Sequence, residues 1–143
     1  MLGSLGGLRE AAYVNALMAD VLIWAGRWSD AFRLLDETLR RSAHTGVMAF
    51  DARLRTSKAA ALALDGEIAS AEQEFERAIG IARGQLAKMF ELQACSGLAR
   101  LWLSQGRPKE ARLLIEPIVA WFTEGLNLPD LQEARAIVAA CGP

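Results

Sequence analysis

Apolar residues recur along this chain at the three-to-four-residue spacing of helices, and glycines cut the pattern at equal intervals. Ala31, Leu34, Leu35, Thr38 and Leu39 make one such face, and Ala71, Phe75, Ala78 and Ile79 a second. Ala111, Leu114, Ile115, Ile118 and Val119 make a third. The spacing predicts helices over 8–25, 28–44, 48–65, 68–83, 86–105, 108–124 and 129–141. Gly26, Gly66 and Gly106 stand 40 residues apart, each where a first helix must stop. Glycine supplies the positive φ that such a stop requires. Alanines hold the positions five residues after each glycine (Ala31, Ala71, Ala111) and seven before (Ala19, Ala59, Ala99), and the next step falls on Ala139. A small side chain there lets antiparallel helices cross near ~8 Å. Gly46, Gly84 and Gly125 end the second helices. Pro108 and Pro129 suit a first helical turn, with Asn127 as a cap for the last helix. Pro117 falls inside a helix and predicts a kink or a one-turn shift.

A fixed period of this size is the signature of a solenoid, in which each unit buries its apolar face on the next. The expected architecture is all-α: three helix–turn–helix repeats over about 8–46, 47–85 and 86–125, and a capping helix over about 129–141. All 143 residues form one domain in this reading.

Composition narrows the function classes. At 52% hydrophobic, weighted to Ala and Leu, the chain has a helical core and is not disordered. A net charge of −1 disfavours nucleic acid as a partner. The longest apolar run, Ala59–Leu64, is far short of a membrane span, and Met1–Leu8 is a poor signal peptide. Cytoplasm is the expected compartment, with Cys95 and Cys141 as small apolar residues on helices. His44 is the only histidine and reads as a surface or capping residue. No phosphate loop, metal-ligand spacing or nucleophile context is present, so an enzyme, a cofactor and a metal are not expected. Glu72, Glu74 and Glu76 read as a solvated helix face, and Asp36/Arg40 and Glu37/Arg41 as exposed i,i+4 pairs.

Gly26-Arg27-Trp28-Ser29-Asp30-Ala31 and Gly106-Arg107-Pro108-Lys109-Glu110-Ala111, with Leu22 and Trp102 four residues before the turn, resemble the core of a tetratricopeptide repeat. The resemblance implies a right-handed stack, here with a longer period than the usual 34 residues of that family. The stretch from Phe90 to Ala134, including Trp121-Phe122-Thr123-Glu124-Gly125 and Pro129-Asp130-Leu131, is similar to the C-terminal repeats of bacterial signalling ATPase and adenylate-cyclase-type proteins. What that implies is an accessory interaction or sensor domain, and the Met1–Leu8 lead-in favours an origin in something longer.

In such stacks the first helices line the concave face, which makes Tyr13, Asp20, Trp24, Arg53, Gln93 and Arg100 the candidate groove residues. Asp20, Arg53 and Arg100 together suit a polar peptide or an acidic small ligand. Tyr13 and Trp24 equally fit packing against the next helix or against upstream repeats. A protein or peptide partner is the leading expectation, a small-molecule sensor the second and self-association the third. Val14, Leu17, Met18, Val21, Leu22 and Trp24 spread over more than one face of the first helix. They predict a homodimer through the N-terminal helix pair, or a missing neighbour there.

Overall fold

A computed structural model describes residues 2–143, with side-chain surroundings for Gly7 and from Arg9 onward. Among the described residues the chain is helical throughout: α1 (Leu2–Trp24), α2 (Trp28–Thr45), α3 (Asp51–Leu64), α4 (Ile68–Gly84), α5 (Lys88–Ser104), α6 (Pro108–Trp121) and α7 (Pro129–Ala140). All the predicted helices are present and no strand occurs among these residues. Contacts divide the chain into two compact units, Met1–Glu74 and Phe75–Pro143, with the boundary inside α4.

In the first unit α1, α2 and α3 pack on one another. Ala16 and Ala19 of α1 meet Leu35 and Leu39 of α2 and Leu54 of α3 in one core cluster. Ile23, Ala31 and Ala61 form another, flanked by Leu22, Trp28 and Phe32. In the second unit α5, α6 and α7 pack on one another in the same way. Ala99, Ile115 and Ala134, two periods on from Ala19, Leu35 and Leu54, are fully buried there. Ala139 is exposed, unlike its counterparts Ala19, Ala59 and Ala99, because α7 has no following helix against that face among the described residues.

The periodic glycines act as expected, with φ of +75° at Gly26, +85° at Gly66 and +73° at Gly106. Each closes the same hydrogen-bond pair. Gly26 N–H donates to Ile23 C=O and Arg27 N–H to Leu22 C=O, and Gly66/Glu67 and Gly106/Arg107 repeat the pattern. This is the Schellman stop. The residue after each glycine is also the start of the next helix: Arg27, Glu67 and Arg107 accept from Ala31, Ala71 and Ala111, which are all fully buried. One residue therefore closes one helix and opens the next.

The same stop recurs at the end of α4, where Leu86 N–H donates to Arg83 C=O and Ala87 N–H to Ala82 C=O. Here the left-handed position is held by Leu86, at φ +56°, one period after Gly46 at φ +76°. Gly84 is the last residue of α4, as expected, but it does not take the left-handed conformation. A leucine in this conformation costs roughly 1–2 kcal/mol through its Cβ, and Leu86 is 78% exposed, so packing returns little. Leu86→Gly is expected to raise stability by about 1 kcal/mol, measured as a higher urea midpoint at unchanged slope.

Other boundaries differ for physical reasons. Leu128, not Asn127, precedes α7 as its N-cap, since Pro129 holds the residue before it in the extended conformation. α6 continues through Pro117 and stops at Trp121, short of the predicted end, with Phe122 extended. The carbonyl that Pro117 leaves without a donor belongs to Leu113, on the exposed face where water reaches it.

Several charges also sit elsewhere than expected. Glu74 is buried and receives Arg55 Nη1 at 3.1 Å, so the Glu72–Glu76 segment is not a solvated face throughout. Asp36 reaches Lys58 on α3 at 3.0 Å, which turns an expected within-helix charge into a cross-helix one. Asp51, at the first turn of α3, is 3% exposed. Burial pushes its carboxyl above the ordinary range, against the Ser42 hydrogen bond and the Arg55 charge that pull it down. A carboxyl raised on folding opposes the folded state once ionised: its contribution is intact below the unfolded value and lost as pH rises through the folded one. Asp51→Asn is accordingly expected to raise Tm at pH 7, with the gain shrinking towards pH 4 and vanishing below it.

Candidate functional site

The candidate residues lie on the first helices, where period and helical pitch together decide which side chains meet. In the first unit Asp20 of α1 faces Arg53 and Ser57 of α3, at separations of 33 and 37 residues. These are one 40-residue period less two turns and less one turn. Arg53 Nη2 donates to Asp20 Oδ2, Arg53 Nη1 to Ser57 Oγ at 2.5 Å, and Ser57 Oγ to Asp20 Oδ1 at 2.7 Å. The three side chains close a ring that engages both carboxylate oxygens. Arg53 is 15% exposed and Asp20 39%, so the pair is partly sheltered and its charge-assisted bonds exceed those of a surface pair. One period less one turn also brings Tyr13 to Phe50, ring centroids 5.3 Å apart and tilted by 44°.

The second unit fills the same positions with other chemistry. Arg100 of α5 pairs with Glu133 of α7, again 33 residues apart, which inverts the acid–base order of Asp20 and Arg53. Gln93 Nε2 donates to Asp130 Oδ2 at 3.2 Å across 37 residues, where Tyr13 meets Phe50 in the first unit. Gln93 Oε1 and the neighbouring Ser96 Oγ are buried without a hydrogen-bond partner. Ser96 occupies the position of the fully buried Ala16, two periods earlier.

The sequence-predicted residues thus fall into two sets. Tyr13, Asp20 and Trp24 on α1 and Arg53 on α3 belong to the first unit, and Gln93 and Arg100 on α5 to the second. Asp20 and Arg53 are brought into contact, and Arg100 is committed to a carboxylate in its own unit. Tyr13 is 44% exposed beside Phe50, while Trp24 at the end of α1 is 95% exposed. Trp24 therefore does not pack against the next helix among the described residues. Phe50, Asp130 and Glu133 complete these contacts and escaped the sequence reading. The signal for them was the period itself, offset by one or two helical turns.

The cleft between α1 and α2, lined by Ala12, Asn15, Thr38 and Ser42 among others, has a volume of only about 10 Å³. Within it Asn15 Nδ2 donates to Thr38 Oγ1 at 3.1 Å. Among the described residues no cluster of three or more His, Cys, Asp or Glu side chains converges on a metal position. None of the helices there is long and apolar enough to cross a membrane. Comparison with known families and with curated proteins gives no match.

Of the two thiols, Cys95 is buried and Cys141 half-buried beyond α7. Burial pushes the Cys95 thiol up to about 12, above its ordinary 9.0, with Arg83 lowering it and Glu91 adding to the rise. The thiolate is the reactive form. In native protein at pH 8 a chromogenic disulfide reagent is expected to titrate Cys141 promptly and Cys95 only on unfolding. Prompt reaction of both thiols would contradict the burial of Cys95.

Proposed function

We propose that the chain is a non-catalytic, tetratricopeptide-like interaction module whose first helices present a binding face to a protein or peptide partner. The observation that carries this reading is the recurrence of one contact geometry, at separations of 33 and 37 residues, with different side chains in each unit. A repeat whose geometry is kept while its exposed chemistry changes is suited to recognition along a surface. The Schellman stop returning at Gly26, Gly66 and Gly106, each followed by a buried alanine, supports the repeat assignment.

In this reading the exposed Tyr13 and Trp24 supply aromatic contact area, and the Asp20–Arg53–Ser57 ring supplies fixed polarity beside it. An extended peptide with an apolar residue next to a polar one matches that pairing. The resemblance to signalling ATPases makes an accessory regulatory role in a bacterial cytoplasm the natural context. Selection of peptides from a random display library on the purified chain tests the proposal. The expected result is enrichment of related sequences that bind at micromolar Kd. Tyr13→Ala combined with Trp24→Ala should weaken them ~10-fold or more at unchanged Tm. Failure to enrich above a scrambled-surface control, or binding indifferent to both substitutions, would overturn it.

A further inference from the structure

Asp51 begins α3 and is buried with Ser42 of α2, whose side chain hydrogen-bonds its carboxyl. From its own helix the Arg55 charge faces it. Arg55 serves a second carboxyl as well, because its Nη1 donates to Oε2 of Glu74 on α4 at 3.1 Å. One guanidinium thus stands between two buried carboxyl groups. With all three ionised the cluster holds one uncompensated negative charge inside the first unit; with a proton on Asp51 it is neutral. Asp20 of α1 and Asp36 of α2 are engaged elsewhere, by Arg53 and by Lys58. Asp51 Oδ1 is buried and accepts no hydrogen bond, a heavier cost for a carboxylate than for a neutral carboxyl.

Ser42 also closes α2, since its C=O accepts Gly46 N–H at 2.8 Å. Its side chain on Asp51 therefore ties the end of one helix to the start of the next, across the stretch Gly46–Phe50. Phe50 is the last residue of that stretch, and its ring lies on Tyr13 of α1. We propose that Ser42 and Asp51 form a proton-operated latch. It stays closed while Asp51 is neutral; when Asp51 releases its proton to water, the start of α3 loosens and Phe50 withdraws from Tyr13.

The direction of the response follows from the cluster. Burial holds the Asp51 carboxyl above its ordinary range, so the neutral form belongs to the folded chain on the acid side. Ionisation leaves a buried carboxylate that shares its only nearby cation with Glu74, and water relieves it. The bonds that open are those of the first turn, Asp51 N–H to Met48 C=O at 3.2 Å and Leu54 N–H to Phe50 C=O at 2.9 Å. A carboxylate released at the start of α3 still lies at the positive end of that helix, which stabilises the opened form.

The latch rests on the peptide-binding reading for its use, because Tyr13 belongs to the proposed face, but not for its occurrence. The chain has one tyrosine, so a 13C-tyrosine label gives one set of ring signals. NMR of the labelled protein without ligand, from pH 3 to 8, reads the ring current of Phe50 on Tyr13. The carboxyl carbon of Asp51, labelled in the same sample and identified by its loss in Asp51→Asn, reads the proton. The two signals are expected to move together, in one step with its midpoint above the ordinary aspartate value of ~3.9. Asp51→Asn should hold the Tyr13 signal at its acid position throughout. Phe50→Leu should leave the Asp51 step in place and remove the Tyr13 response. An Asp51 step at or below the ordinary value, a Tyr13 signal that ignores it, or a Tyr13 step that survives in either variant would overturn the latch. Rings that respond while the display library yields no peptide would leave the latch standing and remove the binding reading.

Discussion

Phe75→Ala is expected to cost about 3–5 kcal/mol, enough to abolish a large part of the stability of a domain of this size. Phe75 is 2% exposed, and its ring lies across α5 at Gly97. A Cβ at Gly97 would stand 2.7 Å from Phe75 Cζ and closer still to Cε1. Glycine is present there for close approach, since its helical backbone needs no unusual φ. Gly97→Ala should gain up to ~1 kcal/mol of helix propensity and lose roughly 1–3 kcal/mol to overpacking, a net destabilisation. The two sites act on one contact, so they should not be additive. Gly97→Ala combined with Phe75→Leu is expected to cost about 1 kcal/mol less than the sum of the single changes. Urea denaturation of the four proteins measures this, and additivity within ~0.5 kcal/mol would show that the ring and the glycine do not constrain each other.

Removing both cations around Glu91 is the second large effect. Glu91 is 6% exposed at the first turn of α5, and its carboxylate takes Arg83 Nε at 3.2 Å and Lys88 Nζ at 3.3 Å. Lys88 in turn lies 5.5 Å from the centroid of Trp121. Breaking a buried pair from the exposed side leaves a carboxylate without its counter-charge, for which about 3–5 kcal/mol is usual. The Arg83 side chain is 57% exposed, so water already screens part of its contribution. Arg83→Ala with Lys88→Ala is therefore expected to cost ~3 kcal/mol, and each alone less than half of that. Adding Glu91→Gln to the double variant should recover most of the loss, because the buried charge is then gone. Thermal unfolding at pH 7 checks the series; a triple variant no more stable than the double would assign the loss to packing of the two long side chains.

The helices were legible because two signals agreed: apolar spacing set their faces, and the glycine period set their ends. The stop at Leu86 was not legible, since leucine gives no sign of a positive φ and only its distance from Gly46 points to it. The α6–α7 connection escaped for a related reason. Pro117 is expected inside a helix that runs to 124, and the helix does pass through it, but it stops at Trp121, where no glycine or proline marks the end. The burial of Glu74 and Glu91 was hidden as well, because a charged residue is assigned to the surface unless its partner can be identified. Arg55 and Arg83 lie on other helices, and Lys88, three residues before Glu91 on the same helix, reads equally well as half of an exposed i,i+3 pair. For the candidate site, Asp20, Arg53 and Arg100 read as one ligand-facing surface, whereas Asp20 and Arg53 are paired with each other. The pairing of Arg100 with Glu133 needed the same offset applied once more.

The turns at Gly26, Gly66 and Gly106 have a consequence for how such a chain changes length. Because Arg27, Glu67 and Arg107 each belong to two helices, an inserted residue there would have no free loop to occupy and would misplace the buried alanine that follows. Gly46–Phe50 and Phe122–Leu128, which lie outside the helices, are the stretches where single insertions can be absorbed. Elsewhere the unit of growth or loss is the whole 40-residue repeat.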